Sequence, residues 1–205
     1  MSYRTTPKMA DRKEAHRARL LEAAIRLFGK RGYHATTVPM IVKASGSSTG
    51  AFYFYFRNKE DIFAAALERF GQRLAAALNQ AIAKNGPEVA VQMQTAIEEA
   101  FVFLADNPDE ARIFIVESSG LEPRLQEIRR AIIDSHARSV ENALLAADLG
   151  ASPGERKILA RCWIGSVYES VHAWFEQPAA KRPDARSVAA TVARFNLRGA
   201  GALAA

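Results

Sequence analysis

Two tetrapeptides, Asn107-Pro108-Asp109-Glu110 and Ser152-Pro153-Gly154-Glu155, constrain this chain more than any other feature. Each joins a residue able to cap a helix, a proline at an early helical position and a carboxylate three residues after the cap. The sequence around these two start signals has the helical period. Residues 12–30 place Leu20, Leu21, Ala24, Ile25, Leu27 and Phe28 at three- and four-residue spacing, and Gly32 stops the run. Short pieces follow over residues 38–45 and 48–56, divided by Gly46. Asn58 then caps a segment with Glu60 and Asp61 in its first turn; it reaches Lys84, where Asn85-Gly86-Pro87 breaks it. Pro87 starts the next segment, which ends near Asp106. Residues 113–116 alone would pass for a strand, but the cap before them assigns them to a short helix. Residues 121–149, closed by Gly150, and residues 184–197 complete the set. Strand-like alternation does not recur and no internal repeat is visible, so the predicted fold is all-α with about nine helices.

Charge divides the chain unevenly. Residues 1–59 carry 12 Lys/Arg against 3 Asp/Glu, and the remainder 16 against 19, so the whole net charge of +6 comes from the first quarter. A basic segment on a mildly acidic body suits a polyanion-binding module joined to a second domain, or simply a solvated basic surface. The 205 residues, 49% hydrophobic and 24% charged, have a globular composition. A single cysteine, Cys162, allows no intramolecular disulfide and agrees with a reducing compartment. The basic N-terminus lacks a secretory apolar segment, and no apolar run reaches the ~18 residues of a membrane span, so a cytoplasmic, membrane-free protein is expected.

Residues 36–59 hold the densest chemistry. Thr37 can cap a short helix with Pro39 in its second position and Ile41, Val42 and Ala44 on its buried side. Gly46 supplies a tight turn, and Ser48 can cap a second short helix over residues 49–55. Two short helices behind a longer basic one form a helix-turn-helix, whose second helix enters the major groove with its N-terminal residues at the base edges. Gly50 and Ala51 keep that surface low. Phe52 and Phe56, four apart, anchor the helix in the core, while the hydroxyls of Tyr53 and Tyr55 can reach phosphates. Lys59 opposes the dipole of the helix it starts, which makes sense if a phosphate sits there; plain solvation is the alternative.

The stretch LLEAAIRLFGKRGYHATTV…I…ASGSSTGAFYFYFRNKEDIF resembles the DNA-binding domain of the TetR family of transcriptional regulators, over about residues 15–63. The resemblance implies phosphate contacts from Thr37, Ser48, Tyr53, Tyr55 and Lys59, and base contacts from Thr49, Gly50 and Ala51. Ser45 and Ser47 depart from the family's usual Ala and Val beside the turn glycine, which would loosen the packing of the second helix. Small Thr49 and Ala51 imply sparse base readout, through thymine methyls or DNA shape.

Beyond residue 63 only helical architecture and size carry the resemblance, which implies an effector-binding and dimerisation domain over residues 59–205, behind a helix-turn-helix over 12–58 and a basic arm over 1–11. Residues 158/159, 162/163, 166/167, 170/171 and 174/175 form a wide stripe of Ile-Leu, Cys-Trp, Ser-Val, Ser-Val and Trp-Phe, followed by Val188, Val192 and Phe195. These would build a four-helix dimer interface, or an intrachain core. An apolar effector pocket is expected from Met93, Ile97, Phe101, Phe103, Phe114 and Trp163, with Glu117, His136 and Tyr168 as polar groups; each could equally be plain core. The helix over residues 59–84 is the expected lever between the domains.

Nothing points to an enzyme. His16, His34, His136, His172 and Cys162 lack metal-ligand spacing, and there is no HExxH, phosphate loop or nucleophile elbow. The expectation is a cofactor-free, metal-free homodimeric repressor that binds a palindromic double-stranded operator and is released by a small hydrophobic effector. A transcriptional activator of the same fold, or a helical protein-interaction module with a basic surface, are the competing readings.

Overall fold

Prolines, glycines and caps set the helix ends. The computed structural model describes residues 7–118, 120–148 and 151–201. Helix α1 spans Pro7–Arg31 and ends where Gly32 turns left-handed at φ 82°. It begins earlier than expected, so residues 7–11 of the expected arm belong to a helix; residues 1–6 lie outside the described residues. Helices α2 (Val38–Ser45) and α3 (Thr49–Tyr55) meet at Gly46, φ 64°. Helix α4, Lys59–Ala83, starts at Asn58, whose Oδ1 accepts the Asp61 N–H at 2.8 Å.

The next start signals work differently from expectation. Helix α5 spans Val89–Asp106, two residues after Pro87, with Glu88 at the cap. Asn107 does not cap α6 (Pro108–Arg112) through its side chain; its amide donates to the Phe103 carbonyl at 2.7 Å and closes α5 instead. Residues 113–116, expected in a short helix, lie in a π-helical turn, Ile113–Glu117, that continues α6. Helix α7 is Pro123–Ala146, beginning at its proline; Leu149 and Gly150 lie outside the described residues. Helix α8, Pro153–Glu176, has the complete capping box, with Ser152 and Glu155 bonding each other's backbone N–H. Helix α9, Ala185–Gly199, is capped by Asp184.

Burial then organises the helices. Helix α1 packs on α2, α4 and α6; α4 lies between α5 and α7; α5 covers α9, and α7 covers α8. Phe28, Tyr33 and Phe63 meet edge-on or stacked beneath the helix-turn-helix, with Phe28 and Tyr33 at 4.9 and 4.8 Å from the Phe63 centroid. Each such buried ring contributes about 1.5–3 kcal/mol. Two glycines permit close helix approach: a Cβ on Gly29 would lie 2.7 Å from the Asp109 backbone, and one on Gly71 2.9 Å from Ile132.

The stripe on α8 splits. Trp163, Val171 and Trp174 are buried within the chain, Trp174 against Phe101, whereas Ile158 and Cys162 face outward. On α9, Val192 is buried and Phe195 exposed. The expectation that the tryptophans form a face toward a second copy is therefore corrected. Among the described residues no helix is long and apolar enough to cross a membrane.

Candidate nucleic-acid interface and apolar cavity

The α2–α3 unit presents one side of each helix outward. Ser48 caps α3, its Oγ accepting from Ala51 N at 3.1 Å. Thr37 occupies the cap position of α2, but its hydroxyl makes no cap bond, against expectation, and Ile41 alone of the expected buried trio is fully buried, with Ala44 exposed. Along α3, Phe52 and Phe56 are buried, Thr49, Gly50 and Tyr53 exposed, and Ala51 and Tyr55 half-buried. Nothing stands within 4 Å of a Cβ built on Gly50, so that surface is open. The eight residues expected to meet DNA thus lie at the caps before α2 and α3, on α3 itself and at the start of α4. Lys59 is half-buried rather than simply solvated: its Nζ donates to the Tyr33 carbonyl at 2.9 Å and lies 4.2 Å from the Tyr33 ring centroid. Two of its three N–H donors are left for another acceptor.

Two residues escaped the sequence reading. Phe54 is 67% exposed, the Lys13 ammonium lies 5.6 Å from its ring, and it stands one turn after Gly50 on the same helix face. That i, i+4 relation was visible in the sequence. His16 stacks on Tyr55 at 5.7 Å and lies 3.0 Å from Ser47 Oγ. Arg19 donates to His16 Nδ1, so the proton sits on Nε2 and is donated to Ser47. Ser47 therefore ties the turn to α1, and Ser45 bonds the Val42 carbonyl within α2, so both hydroxyls have partners.

Polar bonds join this end to the rest. Tyr33 N donates to Glu117, and its hydroxyl to Glu122 at 3.3 Å; burial, then Glu122, pushes that phenol up to about 12. Asp61 holds Arg57 and Arg124, and the Arg57 guanidinium keeps its carboxyl well below the carboxylate range. Buried Glu110 on α6 accepts from Arg69 and Arg73 on α4, and Arg69 also holds Glu22 on α1, lowering its pKa.

Past this network, α4, α5, α7, α8 and the π-turn enclose a cavity of about 260 Å³. Its wall is mostly apolar, including Leu78, Ile97, Phe114, Ile133, Trp163 and Val171. Of the expected pocket residues, Ile97, Phe114, His136, Trp163 and Tyr168 are on the wall. Met93, Phe101 and Phe103 are buried elsewhere in the core, and Glu117 instead bonds Tyr33 and Arg112. Burial pushes the His136 imidazole down, toward the neutral form, and the Tyr168 phenol up. Exposed Asn79 on α4 and Ser135 and Ser139 on α7 border the cavity.

Comparison with known proteins agrees with this arrangement. Residues 20–66 match the family described as bacterial regulatory proteins, tetR family. The HTH-type transcriptional regulator YdgC of Bacillus subtilis is 36% identical over 100 residues, 47% of this chain and 51% of YdgC. The HTH-type transcriptional repressor NicS of Pseudomonas putida is 30% identical over 138 residues, 64% of this chain and 63% of NicS. The matched stretch thus spans about half to two thirds of these relatives. The fold is similar to that of the transcriptional regulator FadR from Bacillus subtilis in complex with stearoyl-CoA, with a TM-score of 0.77, 21% identity, and coverage of 89% of this chain and 98% of FadR.

Proposed function

Because this chain belongs to the TetR family of transcriptional regulators, we propose that it is a homodimeric repressor that binds a palindromic DNA operator and leaves it when a small hydrophobic effector binds. The observation that carries the reading is the sorting of one aromatic block: Phe52 and Phe56 are buried, while Thr49, Gly50, Tyr53 and Phe54 are exposed, with the Lys13 ammonium over the Phe54 ring. Residues 12–58 then act as the DNA-binding domain and residues 59–205 as the effector and dimerisation domain. Thr37, Ser48, Tyr53, Tyr55 and Lys59 hold phosphates; Thr49, Gly50 and Ala51 meet base edges.

A dimer supplies two recognition helices to successive major grooves ~34–36 Å apart. Exposed Ile158 on α8 and Phe195 on α9 support a second copy covering parts of these two helices. The cavity, with Ile97, Phe114, His136, Trp163 and Tyr168 on its wall, supports an apolar effector, as does stearoyl-CoA in the complex of FadR. The effector acts by binding the DNA-incompetent dimer more tightly than the competent one, since equal affinity shifts nothing. Helix α4 is the lever, and the protein works in the cytoplasm beside its DNA.

The test is selection of genomic fragments by the purified protein at ~0.15 M salt, a physiological ionic strength, followed by footprinting and transcription from the recovered site. A protected palindrome whose transcription falls on adding protein is the expected result. Salt-sensitive, sequence-blind binding would overturn it in favour of a general polyanion surface, and increased transcription would make the protein an activator.

A further inference from the structure

Half-buried arginines in this protein end on a charged or carbonyl acceptor, with one exception. Arg17, Arg69, Arg129, Arg156 and Arg182 are half-buried among the described residues. Arg17 meets Glu14; Arg69 meets Glu22 and Glu110; Arg156 donates to the Ala151 carbonyl, and Arg182 to those of Phe175 and Gln177. Arg129 has only the Tyr168 hydroxyl, reached by Nε at 3.2 Å and also by a terminal nitrogen, with its guanidinium 4.8 Å from the Tyr168 ring centroid. That phenol is neutral and itself donates to the Phe114 carbonyl at 3.3 Å. Among the described residues no carboxylate lies within ion-pair distance of Arg129. A partly desolvated cation without an anion is costly, and an incoming anion recovers that cost.

Arg129 stands at the edge of the cavity. Ile133, His136 and Val140 on α7 belong to the cavity wall, and Arg129 precedes Ile133 by one turn on the same face. Its partner Tyr168 is itself part of the wall. The charge therefore lies beside an apolar space. At ~30 Å³ for each water- or methylene-sized unit, that space holds roughly nine such units.

Resting on the effector reading above, the geometry points to an amphipathic oxyanion as the ligand: a short apolar body in the cavity and a carboxylate- or sulfate-type head against Arg129 and Tyr168. The guanidinium fork matches two head oxygens, which the single phenol oxygen does not.

Calorimetric titration of the full chain with octanoate, octyl sulfate, 1-octanol and octylammonium tests the charge apart from the tail. Octanoate or octyl sulfate should bind at least about tenfold more tightly than 1-octanol, the strength of a charge-assisted bond, and octylammonium more weakly than 1-octanol. The stronger of the two anions identifies the head group. In Arg129→Gln the preference should shrink to about twofold while 1-octanol affinity holds; in Arg129→Lys, which keeps the charge, most of it should survive. Equal affinity for octanoate, octyl sulfate and 1-octanol, or a preference undiminished in Arg129→Gln, would overturn the oxyanion assignment and leave the apolar effector reading intact. Binding of none of the four would overturn both.

Discussion

The two halves of α4 are held differently. Its inner half, toward the helix-turn-helix, combines a buried face of Ile62, Phe63, Leu67 and Phe70 with directional bonds: the Asn58 cap, Lys59 on the Tyr33 carbonyl, Asp61 between Arg57 and Arg124, and Arg69 and Arg73 on Glu110. Its outer half, from Leu74 onward, takes part in no ion pair among the described residues, and Leu74, Leu78 and Ile82 face the cavity. Directional bonds have one good geometry, whereas apolar contact tolerates a range. On the proposed effector reading, the outer half is the part of α4 that a ligand in the cavity shifts at lower cost, with the inner half following as a unit.

The largest effect should come from breaking the inner core. Phe63→Ala removes a fully buried ring between Phe28 and Tyr33 and should cost about 3–5 kcal/mol in chemical denaturation. Leu78→Ala, on a wall that already borders empty space, should cost less than the ~2.7 kcal/mol at the low end for buried leucines. Equal losses would mean that the outer half is packed as firmly as the inner one.

Titration separates the halves next. Asp61 and Glu22 have folded pKa values below their ordinary 3.8 and 4.5 because arginines hold them. A depressed carboxylate binds fewer protons folded than unfolded, so its stabilisation is full above the unfolded pKa and fades as pH falls. Asp61→Asn should therefore be less stable than the parent near neutrality, with the gap narrowing below about pH 4. A gap independent of pH would show that Asp61 acts by shape and not by charge.

Sequence made the inner end legible and the outer end only as a class. Buried Phe52 and Phe56, the Ser48 and Asn58 caps and the Gly46 turn follow from local rules, because each depends on residues within one turn. The cavity depends on which helices meet, and the local pattern past residue 63 does not say which faces pair across the chain. Apolar residues surround much of α8, so its period could not separate Trp163 and Trp174, buried in the chain, from outward Ile158 and Cys162. Glu117 was misplaced for a related reason: a carboxylate near aromatic residues looks like a pocket group, and its bond to Tyr33 N spans 84 positions.

Changes on the outward face of the inner end should alter DNA binding with little effect on folding. Phe54→Ser removes a ring that is mostly exposed and set edge-on to Tyr55 and beside Lys13, so stability should stay within about 0.5 kcal/mol. If Phe54 meets a thymine methyl, affinity for the operator should fall roughly tenfold, and replacing thymine by uracil at the matching step should give the parent the same loss. Unchanged affinity would take Phe54 out of the interface.

The smallest effect on folding is expected at Thr37. A threonine cap lost to a residue without an acceptor ordinarily costs about 1 kcal/mol, but this hydroxyl bonds no backbone N–H of α2. Thr37→Val, similar in shape, should leave stability within about 0.5 kcal/mol. Removing one neutral phosphate contact should weaken binding to every DNA sequence by about 0.5–1.5 kcal/mol without changing the salt slope, because no cation is lost. A full cap-sized loss of stability would mean that the hydroxyl serves α2 after all, and the division between residues that hold the inner end together and residues that face DNA would fail at its first helix.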